Sequence, residues 1–104
     1  MTDPIEPQVL RPYNRLEVFS VAEAAIWAGR SKRKIRDWCL LHDLGRRIGG
    51  QWAVSKVALL MWLEGNHEAL ATYLAGDRSS ELVAKYFARC EVPVPLLRKE
   101  RDAA

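Results

Sequence analysis

At 104 residues, with 49% hydrophobic and 28% charged side chains, the chain can fill one modest hydrophobic core but is too short for a separate catalytic domain. Its net charge is +3, yet seven of its sixteen basic residues and only two of its thirteen acidic ones fall between Arg30 and Arg47. That segment carries a local +5, the rest is weakly acidic, and a polyanion would meet one face first. No apolar run approaches the roughly 18 residues of a membrane span, and the acidic start Thr2-Asp3-Pro4-Ile5-Glu6-Pro7 is unlike a signal peptide, so a cytoplasmic, nucleoid-associated protein is expected.

Residues 1–15 hold Pro4, Pro7 and Pro12 and no apolar period, which predicts a flexible arm. Leu16 to Ser20 alternates weakly and allows a short strand. Ser20-Val21-Ala22-Glu23 has capping-box spacing, and Gly29 ends the helix it opens, giving a first helix over Val21–Ala28. Ser31 caps a second helix from Lys32 to about Leu41, with Ile35, Trp38, Cys39 and His42 on its apolar side. Three cations in its first turn oppose the partial positive charge of a helix N-terminus, a local conflict that a bound phosphate would relieve. Arg46 to Val54 reads as two short extended arms around Gly49-Gly50.

Ser55 caps a third helix through Val57, Leu60, Met61, Trp62 and Leu63, ended by Gly65. Two further amphipathic stretches follow, one on Leu70, Tyr73 and Leu74, the other on Leu82, Val83, Tyr86, Phe87 and Cys90 and starting near Asp77 or Ser79. Pro93 and Pro95 stop the last, and residues 92–104 are expected to be a flexible, charged tail. The organisation expected is therefore an arm over 1–15, a principal domain over 16–65, a two-helix extension over 66–91 and the tail. Leu70, Tyr73, Leu74, Leu82, Tyr86 and Phe87 exceed what a minimal three-helix domain must bury; either they pack within the chain against the first helix or they form a homo-oligomer interface.

The ordered series Ser20-Val21-Ala22-Glu23-Ala24-Ala25, Gly29-x-Ser31-x-x-x-Ile35-Arg36-x-Trp38 and Arg47-Ile48-Gly49-Gly50-x-Trp52 resembles the excisionase-type winged-helix DNA-binding family, related to the MerR-like helix-turn-helix. The resemblance covers about Val18 to Leu63. It implies a mainly α fold with a small β-hairpin, a winged helix-turn-helix to which two C-terminal helices are added. It also implies that the helix after Ser31 enters the major groove and that the hairpin reaches the neighbouring backbone or minor groove. His42 stands where that family often has a glycine closing the recognition helix.

The expected DNA-binding residues are thus Ser31, Lys32, Arg33, Lys34 and Arg36 on the helix and Arg46, Arg47, Gly49, Gly50 and Gln51 on the wing. Arg33 and Lys34 are the choices for base edges, while Ser31, Lys32 and Arg36 would hold phosphate. Trp38 and Trp52 read as core that packs the second helix on the wing rather than as base-stacking platforms, and Trp27 and Trp62 read the same way. Cys39, His42, His67 and Cys90 fit no zinc-finger spacing and read as reduced core thiols and solvent-side imidazoles. Ser31 and Ser55 read as caps, and neither a nucleophile elbow nor a phosphate loop is present, so no enzyme activity, cofactor, metal or small-molecule ligand is expected. The expected function is sequence-specific binding of double-stranded DNA by an excisionase-like architectural factor with a site-specific recombinase as partner. A small dimeric transcriptional regulator, or an interaction adaptor built on a degenerate winged helix, are the alternatives.

Overall fold

Serine caps and left-handed turns divide the chain into its elements, which a computed structural model describes over residues 6–94. The expectations for residues 1–5 and for Pro95 and the tail beyond it lie outside the described residues. A 3-10 turn over Arg15–Glu17 leads into β1 (Val18–Phe19). Next comes α1 (Val21–Ala28), which opens on a complete capping box: Ser20 Oγ accepts from the Glu23 amide at 3.0 Å while Glu23 Oε1 accepts from the Ser20 amide at 2.8 Å. After the Gly29 turn, Ser31 Oγ accepts from the Lys34 amide at 3.0 Å and starts α2 (Lys32–His42). Asp43, at φ 59°, supplies the left-handed residue that closes α2, one position beyond His42.

β2 (Gly45–Ile48) and β3 (Gln51–Ser55) pair antiparallel, with Ile48 opposite Gln51. Both turn residues have positive φ, 61° at Gly49 and 84° at Gly50, the combination a two-residue hairpin requires. Gly45 is needed for a different reason: a Cβ there would lie 2.3 Å from the carbonyl oxygen of Ala53 on the paired strand. β1 adds to the other edge of β3, so the sheet order is β1-β3-β2. The weakly signalled strand over Leu16–Ser20 is therefore real but only two residues long, because Asn14 Oδ1 accepts from the Leu16 amide and turns the chain before it.

Ser55 ends the sheet and caps α3 (Lys56–Leu63), its Oγ accepting from the Ala58 amide at 3.1 Å. Asn66 and Ser80 cap α4 (His67–Leu74) and α5 (Glu81–Arg89) in the same way. Asp77 does not start α5; its carboxylate accepts from the Ser79 and Ser80 amides and shapes the turn before the cap. Over the described residues the fold is mainly α, with five α-helices and a small antiparallel sheet.

Ala24, Ala25, Ile35, Cys39, Val54, Leu59, Met61, Tyr73, Val83 and Phe87 meet in one core. α4 and α5 pack on α3 and on each other. The residues proposed for an oligomer interface are largely spent inside the chain: Leu70, Tyr73, Tyr86 and Phe87 are buried, and Leu74 and Leu82 are half-buried against the core. Intramolecular packing is the alternative realised, though chiefly against α3 rather than α1, because three short helices and a three-stranded sheet leave α3 uncovered without it.

The expected free arm also differs from the structure over its described part. Val9 and Leu10 are buried. The Gln8 amide donates to the Leu74 carbonyl at 2.8 Å, and the Leu10 amide donates to the Tyr73 hydroxyl at 2.9 Å. Arg78, 2% exposed, clamps this segment down. Its guanidinium lies 4.0 Å from the Tyr73 ring centre and donates to the carbonyls of Tyr73, Asp77, Gln8 and Arg11. The tail begins with another anchored residue, Val92, which is buried.

Candidate nucleic-acid interface

Helix periodicity divides α2 into two sides. Ile35 and Cys39 are buried and Trp38 and His42 half-buried, while Lys32, Arg33, Lys34, Arg36, Leu40 and Leu41 are exposed. Burial pushes the Cys39 thiol up to about 12, so it stays protonated as part of the core. Lys32, Arg33 and Lys34 occupy the first turn, where four backbone amides begin without intrahelical partners and Ser31 Oγ satisfies only one of them. No acidic residue lies in that turn. Among the described residues, none of Lys32, Arg33, Lys34, Arg36 or Arg46 makes a side-chain hydrogen bond or ion pair; the two salt bridges, Arg11–Glu6 and Arg89–Glu64, lie elsewhere. A first turn of cations and free amides with no acidic residue in that turn complements an anion in charge and hydrogen bonding.

The wing is stiffened by one of its own predicted contacts. Arg47 donates to the Gly50 carbonyl at 2.8 Å and lies 5.8 Å from the centre of the Trp52 ring. This leaves the guanidinium over the hairpin turn, exposed together with Gly49, Gly50 and Gln51, while Arg46 is half-buried on the preceding position. α2 packs directly on α1 and on β2, so helix and wing are fixed to one scaffold.

Trp38, Trp52 and Trp62 are half-buried against the core as expected, but the partner of Trp38 and the burial of Trp27 differ from expectation. Trp38 meets Trp62 edge-on at 6.0 Å, so its indole joins α2 to α3 rather than to the wing. Trp62 is further stacked by His42 at 3.9 Å and approached edge-on by His67 at 5.5 Å. The two imidazoles raised as metal ligands thus converge on an indole. Trp27 is 46% exposed against Phe19, and Ile48 is also exposed, so neither is core. Both are consequences of position: Trp27 lies on the flank of α1 beyond Ala24 and nearly opposite Ala25, and Ile48 borders the hairpin turn.

Residues 18–67 match the family model described as a helix-turn-helix domain. This segment is a helix-turn-helix domain. The chain matches no curated protein and no solved structure. The family assignment bears out the resemblance carried by the Ser20–Glu23, Ser31–Trp38 and Arg47–Trp52 motifs, and it supports DNA binding by this half of the chain. The helix-turn-helix proper is α1, the Gly29–Ser31 turn and α2; α5 lies wholly beyond the matched residues. Sequence reasoning missed Leu40 and Leu41 as part of the exposed face of α2, since apolar residues near a helix end read as core. The signal that finds them is angular: seven and eight positions after Arg33, both fall on the side opposite Ile35 and Cys39. No helix among the described residues is long and apolar enough to cross a membrane.

Proposed function

We propose that this protein binds double-stranded DNA sequence-specifically, without chemistry, by laying α2 in the major groove and setting the β2–β3 wing on the flanking backbone or minor groove. The observation that carries the reading is the unpartnered basic first turn of α2, unfavourable in the free chain and complementary to phosphate. Ser31, Lys32 and Arg36 hold phosphate, Arg33 and Lys34 reach base edges, and Arg46, Arg47, Gly49, Gly50 and Gln51 form the wing contact. Arg33→Ala is expected to lose about 1–3 kcal/mol, concentrated at one base pair, whereas Arg47→Ala weakens all sequences and lowers the salt slope by about one. Equal affinity of the unaltered protein for every duplex would overturn the readout.

The biological role proposed is an excisionase-like architectural factor that occupies adjacent sites and bends DNA for a site-specific recombinase. Burial of Leu70, Tyr73, Tyr86 and Phe87 within the chain supports this over a regulator that dimerises through α4 and α5. Selection of bound sequences from random DNA, followed by footprinting, is the test. Adjacent direct repeats fit the architectural role, and an inverted repeat fits a symmetric dimer. If no salt-sensitive duplex binding is found at submicromolar protein, the chain is an interaction adaptor instead.

A further inference from the structure

Arg33, Asp37 and Leu40 stand at i, i+4 and i+7 on α2, on the side opposite the buried Ile35 and Cys39, and form one ridge in which Arg33 and Leu40 are exposed and Asp37 between them is half-buried. Leu41 and Lys34 flank the ridge on one side and Arg36 on the other. Leu40 is 68% exposed and Leu41 72%, a pair of large aliphatic side chains left in water on the last turn. Ridge composition says what covers them. An apolar protein surface would have to bury Arg33 and Arg36 without a counter-charge, whereas a nucleic acid supplies one. Asp37, on the same ridge, would be repelled by phosphate but can accept from the amino group of cytosine, which directs the ridge to base edges between the strands. The apolar group displayed among base edges in the major groove is the C5 methyl of thymine.

We infer that Leu40, with Leu41 beside it, reads thymine methyl groups about 10 Å along the groove from the base contacted by Arg33, a distance set by seven helical residues at roughly 1.5 Å each. The inference rests on α2 lying in the major groove. It adds a specificity determinant that is neither cationic nor hydrogen-bonding, on the turn of α2 farthest from its capped start.

The test uses the full chain and the site recovered by selection, with each thymine replaced in turn by uracil, which removes the methyl and preserves base pairing. Loss of affinity of about fourfold, the worth of one buried methyl, is expected at one or two thymines. Leu40→Ser, exposed and therefore compatible with the fold, is expected to lose the uracil penalty at the thymine that Leu40 faces. Uracil substitution without effect at every position, in a protein that binds its site with normal salt dependence, overturns the methyl readout alone; loss of all salt-sensitive binding overturns the groove placement as well. An unchanged uracil penalty in the Leu40→Ser protein, or a loss confined to cooperative binding at adjacent sites, would also overturn it by assigning the leucine to other contacts.

Discussion

The polar side chains of the Arg78–Tyr73–Glu17 centre and those of the α2 surface are treated in opposite ways. Arg78 reaches four carbonyls, the Tyr73 hydroxyl joins the Leu10 amide to the Glu17 carboxylate, and Ser55 adds a second donor to that carboxylate at 2.6 Å. Lys32, Arg33, Lys34 and Arg36 have no such partners among the described residues. Burial enforces the first arrangement, since a buried donor or acceptor left alone costs about 1–3 kcal/mol. Exposure permits the second, and water screens it until a polyanion arrives. The extension and the N-terminal segment therefore spend their polar groups on holding the molecule together, while the α2 cations of the helix-turn-helix half are left to solvent among the described residues.

Phe87→Ala breaks that comparison most severely. Phe87 is fully buried, 6.1 Å from Tyr73, and its removal opens a cavity between α5 and α4 worth about 3–5 kcal/mol. Chemical denaturation should show this loss with an unchanged slope, while the fraction that remains folded keeps its preference among duplexes. A changed sequence preference would show that the extension takes part in recognition.

Arg78→Leu should follow, at about 1–3 kcal/mol, because four carbonyls lose a shared donor while an apolar stem is retained. The damage is local. Hydrogen exchange is expected to accelerate first at the Gln8 and Leu10 amides, which bond to Leu74 and Tyr73. Uniform acceleration across all helices would mean that the N-terminal segment is an integral part of the core rather than a strap upon it.

Ser31→Asp sharpens the other side. An aspartate keeps the cap on the Lys34 amide and adds a negative charge at the N-terminus of α2, beside three cations, for a gain of about 0.3–1 kcal/mol in the free protein. The same carboxylate occupies the place proposed for phosphate, so duplex affinity should fall as stability rises. Parallel gains in both, measured by thermal unfolding and by titration with the selected site, would remove phosphate from the start of α2.

Much of this surface was legible in the residues because it depends on short-range geometry. Ser20 with Glu23, Ser31 and Ser55 announce their helices within three residues, and Gly49-Gly50 announces the hairpin. The centre was not, because its partners are far apart in the chain: Arg78 is 70 residues from Gln8, and Tyr73 is 56 from Glu17. An arginine in Gly76-Asp77-Arg78-Ser79 reads as surface, and three prolines hide two core residues, Val9 and Leu10. Trp27 and Leu40 show the converse limit, since hydrophobicity alone does not say which side of a helix meets the core.

Glu17 gives the smallest and most selective test of the buried centre. Desolvation raises its carboxyl above the ordinary value of 4.5, outweighing the Ser55 and Tyr73 hydrogen bonds and the charge of Arg78, which pull the other way. Only one carboxyl oxygen is served; Glu17 Oε1 has no partner among the described residues. In the unfolded chain the group titrates near its ordinary value, so above pH 4.5 the folded state binds more protons than the unfolded state. The resulting contribution to stability is fully present below pH 4.5 and is lost as pH rises through the folded value. Glu17→Gln keeps an acceptor for both hydroxyls and removes the titration. Relative to the unaltered protein, the Gln variant should therefore gain stability as pH rises above 4.5 and level off once pH has passed the raised value of the folded state. Denaturation curves that stay parallel over that interval would mean that water or rearrangement satisfies Glu17 Oε1, and that the centre is less closed than its burial indicates.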